Sequence, residues 1–271
     1  MAKEEYPALK VVLLDMDGVL WRGPDPILDI SKLFTCINDY NLSAFCITNN
    51  STRTVDYYLG QLNEYGVSLD EKQVITSAEA TADYLAMKYP AGGSVYVVGE
   101  QGLVKALQKQ NFFHVENPRN ENILAVVAGL DRGLTYEKIE YAARLIDQGV
   151  PFIGTNPDRT IPTPEGNAPG AGVIIKAIET ASGTAAEIIG KPKIHLFNLA
   201  LQRADCLPAE AIMIGDRLET DIAGAQNIGM RTGLVLSGVT DRSTGEAWNP
   251  PPDLIADNAL NIMEKVTAHE I

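Results

Sequence analysis

Cysteine, histidine and basic residues are all scarce in this sequence, and each scarcity removes a class of function. The three cysteines, Cys36, Cys46 and Cys206, are odd in number and widely spaced, which argues against a disulfide framework and leaves no zinc-ligand spacing. They are expected as free thiols in a reducing compartment, two of them in apolar surroundings. The three histidines, His114, His195 and His269, are scattered, which argues against chemistry built on histidine or zinc. Lys and Arg total 22 against 35 Asp and Glu, a formal charge of −13, so the basic surface that nonspecific nucleic-acid binding requires is missing. No apolar run approaches membrane length, and the start, MAKEEYPALK, lacks a basic region followed by an apolar one. The expectation is a cytoplasmic protein with neither nucleic-acid nor membrane partners.

What is present is an ordinary globular balance. Hydrophobic residues make up 45% and charged residues 21% of 271, enough for one large domain or two of common size. The organising stretch is VVLLDMDGVLW, Val11 to Trp21, in which an apolar run ends in Asp15, then Asp17, then Gly18. Such a run reads as a strand buried on both faces of a parallel sheet. Ligands bind beyond the carboxyl ends of such strands, where Asp15 would stand.

Further units follow in alternation. Ile27 to Tyr40 has helical apolar spacing, and LSAFCITNN, Leu42 to Asn50, reads as a strand ending in Thr48, Asn49 and Asn50. Ser51 or Thr52 is the expected cap of the next helix, and Thr76 with Glu79 has capping-box spacing for the one after. Beyond Pro90, Gly92 and Gly93 a second set of strands and helices begins, with strands at 94–99, 123–129 and 152–155. Residues 156–172 read as a long irregular loop, whose length suggests a function. Pro192 is expected in the first turn of a helix carrying Leu196 and Leu199, Ala211 to Asp216 (AIMIGD) reads as another strand ending in a carboxylate, and 234–236 as the last core strand. Alternation of this kind predicts an α/β fold with a doubly wound parallel sheet.

Three apolar runs thus end in polar residues: Asp15 with Asp17, Thr48 with Asn49, and Gly215-Asp216 with Asp221. Lys191 is a fourth candidate. The set suits phosphoryl transfer. Asp15 can attack phosphorus as a carboxylate nucleophile, and Asp17 can protonate the leaving oxygen and then activate water. Mg²⁺ prefers hard oxygen ligands, for which Asp15, Asp216 and the backbone carbonyl of Asp17 are candidates. The Thr48 hydroxyl, the Asn49 amide and the Lys191 ammonium are candidates for stabilising phosphoryl charge. Taken singly, each also reads as an ordinary cap, turn or surface residue. A cysteine-phosphatase cradle is excluded because six residues separate Cys46 from Arg53, and no Gly-x-Ser-x-Gly elbow or Walker A loop is present.

The segments DMDGVL, ITNN, GKP and GDRLETD together resemble the four motifs of the haloacid-dehalogenase superfamily of phosphatases. The resemblance implies a Rossmann-like core with Asp15 as nucleophile, Asp17 as acid/base, Thr48 as phosphate-binding hydroxyl, Lys191 as charge clamp, Asp216 as metal ligand and Asp221 in support behind it. An α/β insertion between the second and third motifs resembles the C2-capped branch, which includes p-nitrophenylphosphatase-like, phosphoglycolate phosphatase-like and ribonucleotide monophosphatase-like enzymes. The expected division is a core of residues 1–78 and 185–271 with a cap at 79–184. Thr155-Asn156-Pro157-Asp158 and Pro169-Gly170-Ala171-Gly172 resemble the branch's substrate loops, which makes Asn156, Asp158 and Ile161 candidates for leaving-group contacts, beside Thr48, Asn49, Asn50 and Lys191 as candidates for substrate binding. A structural Asx-type turn is an equal reading of the Asn156 segment. Trp21 and Arg22 are candidates for the site entrance, with core packing an equal reading for Trp21. The substrate implied is a small phosphorylated metabolite, and a homodimer through the cap is implied by the resemblance alone. A dehalogenase would not need Asp17, and a phosphomutase usually carries a different, helical cap.

Overall fold

The computed structural model describes residues 8–118, 122–163 and 166–268. The chain divides into two compact units: Met1–Thr48 with Leu59–Ile75 and Pro192–Ile271, and Asn49–Tyr58 with Thr76–Lys191. The second unit spans more sequence than the 79–184 expected for the cap.

The first unit is built on a six-stranded sheet in the order Leu254–Ala256, Arg231–Val235, Ala211–Gly215, Val11–Leu14, Ser43–Thr48, Val74–Thr76. The first five of these pair in parallel. Val11–Leu14 is buried at every position, as its unbroken apolar run requires. It lies between Ala211–Gly215 and Ser43–Thr48, so the order of strands reverses at this point. Leu14 stands level with Ile214 on one side and Cys46 on the other. Asp15, Gly215-Asp216 and Ile47-Thr48 therefore leave the sheet along one edge, at its topological switch point.

The second unit holds a five-stranded sheet in the order Glu187–Ile188, Phe152–Gly154, Val126–Ala128, Gly93–Val98, Phe112–His114, all pairs parallel. Its core packs Val98, Val126, Phe152, Ile146, Ile174 and Ile178 from strands and crossover helices. Both sheets are thus parallel and helix-connected, as the alternation of periods predicts.

Several local expectations are corrected. Residues 156–172 are not irregular throughout: Thr160–Thr163 and Gly166–Pro169 form an antiparallel hairpin, with Thr160 opposite Pro169 and Thr163 opposite Gly166. Proline and glycine hid it, since both are loop signals that a two-stranded ribbon tolerates. The last core strand is not 234–236. Arg231–Val235 is followed by an edge strand, Leu254–Ala256, too short to show a period. Glu187–Ile188 pairs with Ile153 and Gly154 in the second sheet. Pro192 precedes the helix Ile194–Ala204, whose N-cap is Lys193. The helix expected after Ser51 or Thr52 begins at Val55, with Thr54 Oγ1 accepting from the Tyr57 N–H at 3.4 Å. The Thr76 cap is present as expected, accepting from the Glu79 N–H at 3.1 Å.

Candidate active site

In the first unit the edge beyond Val11–Leu14 gathers three carboxylates. Asp15, Asp216 and Asp221 are all buried, and each offers an oxygen within 4.8 Å of the others. No other group of three or more such ligands occurs among the described residues. Asp15 is fixed by its backbone, which donates to the Ile214 carbonyl at 2.9 Å and extends the ladder by one residue. Asp221 arrives through a π-helical turn, Leu218–Ile222, that folds back over the end of its strand. There its carboxylate accepts from the Arg217 N–H at 3.1 Å, and a Cβ on Gly215 would come within 2.3 Å of its own Cβ.

Asp216 is held by a segment that carries no motif. The Val239 N–H donates to Asp216 Oδ2 at 3.0 Å and Thr240 Oγ1 to the Asp216 carbonyl at 2.6 Å. Ser237 Oγ donates to the Gly18 carbonyl at 2.8 Å, tying the same segment to the first motif. Gly238 and Gly18 wall the carboxylate: a Cβ on Gly238 would sit 1.9 Å from Asp216 Oδ2, and one on Gly18 2.5 Å from it. Sequence reasoning passed over Ser237 to Thr240. The available signal was a Ser-Gly pair just past the end of a strand neighbouring AIMIGD.

Three buried carboxylates converging on one point are the donor set of a hard divalent cation, and the glycine walls keep the space around them clear. The residues fit such a cation. Asp17, two residues beyond Asp15, is partly exposed and forms a bridge to Trp21. Trp21 itself is buried and stacks on Tyr65 with centroids 6.5 Å apart, so packing accounts for it. Arg22 is exposed and donates to the Ser237 carbonyl at 2.7 Å. Cys46 is buried in the adjacent strand, and burial, with the Asp15 charge adding to it, pushes its thiol well above the ordinary range. It is no thiolate nucleophile. Cys36 and Cys206 are free and only half-buried.

Thr48 ends its strand buried on the same edge of this sheet. The residues that follow belong to the second unit, where Asn49 is the hub. Its Oδ1 accepts from the Lys191 N–H at 2.8 Å, and its Nδ2 donates to the Lys191 carbonyl and to Asp158 Oδ1, both at 3.0 Å. The Asn49 carbonyl accepts from Ser77 Oγ at 2.6 Å and from Asn156 Nδ2 at 2.7 Å. Lys191, Asn156 and Asp158 are therefore brought together around the residue next to Thr48. Asn156 Oδ1 also accepts from the Asp158 N–H at 3.2 Å, the geometry of an Asx turn. Asn50 Oδ1 accepts from the N–H and hydroxyl of Thr52 at 2.9 and 2.8 Å. Ile161 is not gathered with them: it lies in the hairpin and packs, half-buried, against the core of the second unit.

Two family models match, haloacid dehalogenase-like hydrolase over residues 12–113 and HAD-hydrolase-like over residues 188–262, together more than half of the chain. The chain belongs to the haloacid dehalogenase-like hydrolases. An acid sugar phosphatase of Staphylococcus aureus is 35% identical over 90% of this chain and 92% of its own length. The p-nitrophenyl phosphatase of Archaeoglobus fulgidus superposes with a TM-score of 0.88 at 28% identity, covering 95% of this chain and 99% of its own. NagD from E. coli K-12 superposes with a TM-score of 0.84 at 30% identity, covering 94% and 98%. These relatives place the haloacid dehalogenase-like chain in the C2-capped branch, as a phosphoric monoester hydrolase.

Proposed function

We propose that the protein hydrolyses small phosphate monoesters, sugar phosphates among them, through a phosphoenzyme on Asp15 and with Mg²⁺ bound. The observation that carries this reading is the convergence of the buried Asp15, Asp216 and Asp221, which offer oxygens within 4.8 Å of one another. The likeness to an acid sugar phosphatase and a p-nitrophenyl phosphatase supports the substrate class.

In the first half-reaction an Asp15 oxygen attacks phosphorus, the bond to the ester oxygen breaks, and Asp17 gives its proton to the departing alcohol. In the second, Asp17 takes a proton from water, which attacks the acyl phosphate and releases inorganic phosphate, restoring Asp15. Thr48 and Lys191 take the roles of phosphoryl-oxygen partners, a hydroxyl and a fixed positive charge. Asp15, Asp216 and the Asp17 carbonyl would hold the cation, with Asp221 supporting or joining them. When bound, the ion neutralises charge that gathers on the phosphoryl oxygens. The second unit, with residues 79–184 as its inserted part, acts as a cap that excludes water and reads the leaving group through Asn156 and Asp158.

The experiment is phosphate release from a panel of sugar phosphates, glycerol phosphate, phosphoglycolate, nucleoside monophosphates and p-nitrophenyl phosphate, with and without Mg²⁺. Asp15→Asn should reduce turnover by at least about 10³-fold while circular dichroism and thermal midpoint stay those of a folded protein. Near-normal release by Asp15→Asn, with the same metal dependence, would overturn the mechanism.

A further inference from the structure

The Asn49 carboxamide binds two residues, Lys191 and Asp158. Its oxygen meets the N–H of Lys191 at 2.8 Å and its nitrogen meets the carbonyl of the same residue at 3.0 Å, a two-point match like that between paired strands. The second N–H of that nitrogen goes to Asp158 Oδ1 at 3.0 Å. Only this orientation of the amide gives the Lys191 N–H an acceptor and both oxygens a donor. Gly190 makes the approach feasible, because a Cβ there would lie 2.6 Å from Asn49 Oδ1 and 2.5 Å from the Thr155 carbonyl. The glycine of the GKP segment thus serves the asparagine of the ITNN segment.

We propose that Asn49 is a positioning residue: through its carboxamide it sets where the Lys191 backbone stands and couples that placement to the Asn156–Asp158 loop. The inference rests on the reading of Lys191 as a phosphoryl partner. A lysine used to stabilise charge must be held to within a fraction of an ångström, and the flexible four-carbon stem cannot ensure that by itself. Because the same nitrogen also holds Asp158, a shift of the substrate loop is transmitted to the lysine by one side chain.

The test is a cycle of Asn49→Asp, Asp158→Asn and the double variant, assayed with p-nitrophenyl phosphate and Mg²⁺, each rate taken per folded molecule from the thermal transition. Asn49→Asp removes both N–H donors and sets a carboxylate against Asp158 and the Lys191 carbonyl, so kcat should fall by about 10²-fold. In the double variant the amide introduced at position 158 can donate to the carboxylate introduced at position 49. At least about fivefold of the loss should then return, a recovery that mere loss of packing would not give. Asn49→Ser, uncharged and lacking the amide donors, should also lose at least about tenfold in kcat and covers the case in which Asn49→Asp does not fold. Either variant within twofold of wild type, or a double variant no better than Asn49→Asp, would overturn the proposal. Asp15→Asn is run alongside. If it is inert while Asn49→Asp is normal, only the positioning role fails, whereas an active Asp15→Asn removes the mechanism beneath it.

Discussion

Replacing Gly238 by alanine adds one carbon atom, and the structure says where it goes. The new Cβ would stand 1.9 Å from Asp216 Oδ2, 2.3 Å from its Cβ and 2.4 Å from its Cγ. Ordinary contact begins near 3.4 Å, so the carboxylate or the Ser237–Thr240 segment must move by about 1.5 Å. The Val239 N–H bond to the same oxygen, now 3.0 Å, belongs to the segment that would be pushed away. A misplacement of about 1 Å at a reacting centre costs on the order of 10²-fold in rate, so kcat/KM should fall by about that factor. Overpacking of this kind costs roughly 1–3 kcal/mol, which for a chain of this size lowers the thermal midpoint by about 2–10 °C and leaves the protein folded at 25 °C. The assay is phosphate release across a Mg²⁺ titration, with differential scanning fluorimetry on the same samples. The metal concentration for half-maximal rate should rise together with the loss of kcat/KM. A variant with wild-type half-saturation and wild-type turnover would refute the assignment of Asp216 to the site.

Other outcomes follow from groups away from the chemistry. Asp253 Oδ2 accepts from the N–H and hydroxyl of the buried Thr232 at 2.7 and 2.8 Å, locking the edge strand at the end of the sheet remote from Asp15. Asp253→Ala leaves a buried N–H unsatisfied and should cost roughly 1–3 kcal/mol in urea unfolding with kcat unchanged. Burial raises all three thiols, but only Cys46 is fully buried, so it should resist iodoacetamide in the native protein at pH 8 while the half-buried Cys36 and Cys206 react faster; mass spectrometry of the labelled peptides checks this.

The parts of the candidate site legible in the sequence are those where an apolar run stops at a polar residue. Asp15, Thr48 and Asp216 each follow a run long enough to be a buried strand, and parallel pairing puts all such ends on one edge whatever the loops do. Legibility failed where the determining feature is an absence of atoms. Gly238 and Gly190 matter because a Cβ would collide with Asp216 or Asn49, and nothing in their sequence neighbourhood announces a collision partner many residues away. It failed also where elements are short. Leu254–Ala256 and the hairpin at Thr160–Thr163 are stabilised by their neighbours rather than by a period of their own, so no pattern of three or four residues could reveal them. Asn49 stood out in the sequence as a candidate, but its side-chain bonds were not legible there, since they depend on Lys191 and Asp158 more than 100 residues further on.

The carboxylate cluster proposed to hold the cation also gives a test independent of turnover. Oxygens of Asp15, Asp216 and Asp221 lie within 4.8 Å of one another. At an effective dielectric constant near 20, two unit charges at that distance repel by roughly 3 kcal/mol, and there are three such pairs when all three carboxylates are ionised. A divalent cation held between them relieves that repulsion, so the folded state should gain RT ln(1 + [L]/Kd), about 2.7 kcal/mol at 100 times Kd. Titration with Mg²⁺ should therefore raise the thermal midpoint by several degrees, and Ca²⁺ should do so whether or not it supports turnover. Asp216→Asn removes two of the three repulsive pairs. Without metal that variant should melt at or above the wild type, because a neutral amide keeps an oxygen for the Val239 N–H. With metal the order should reverse, since the wild type gains the full binding energy and the variant only a fraction of it. If both proteins gained equally from Mg²⁺, the cation would be binding elsewhere, and the three aspartates would need another explanation.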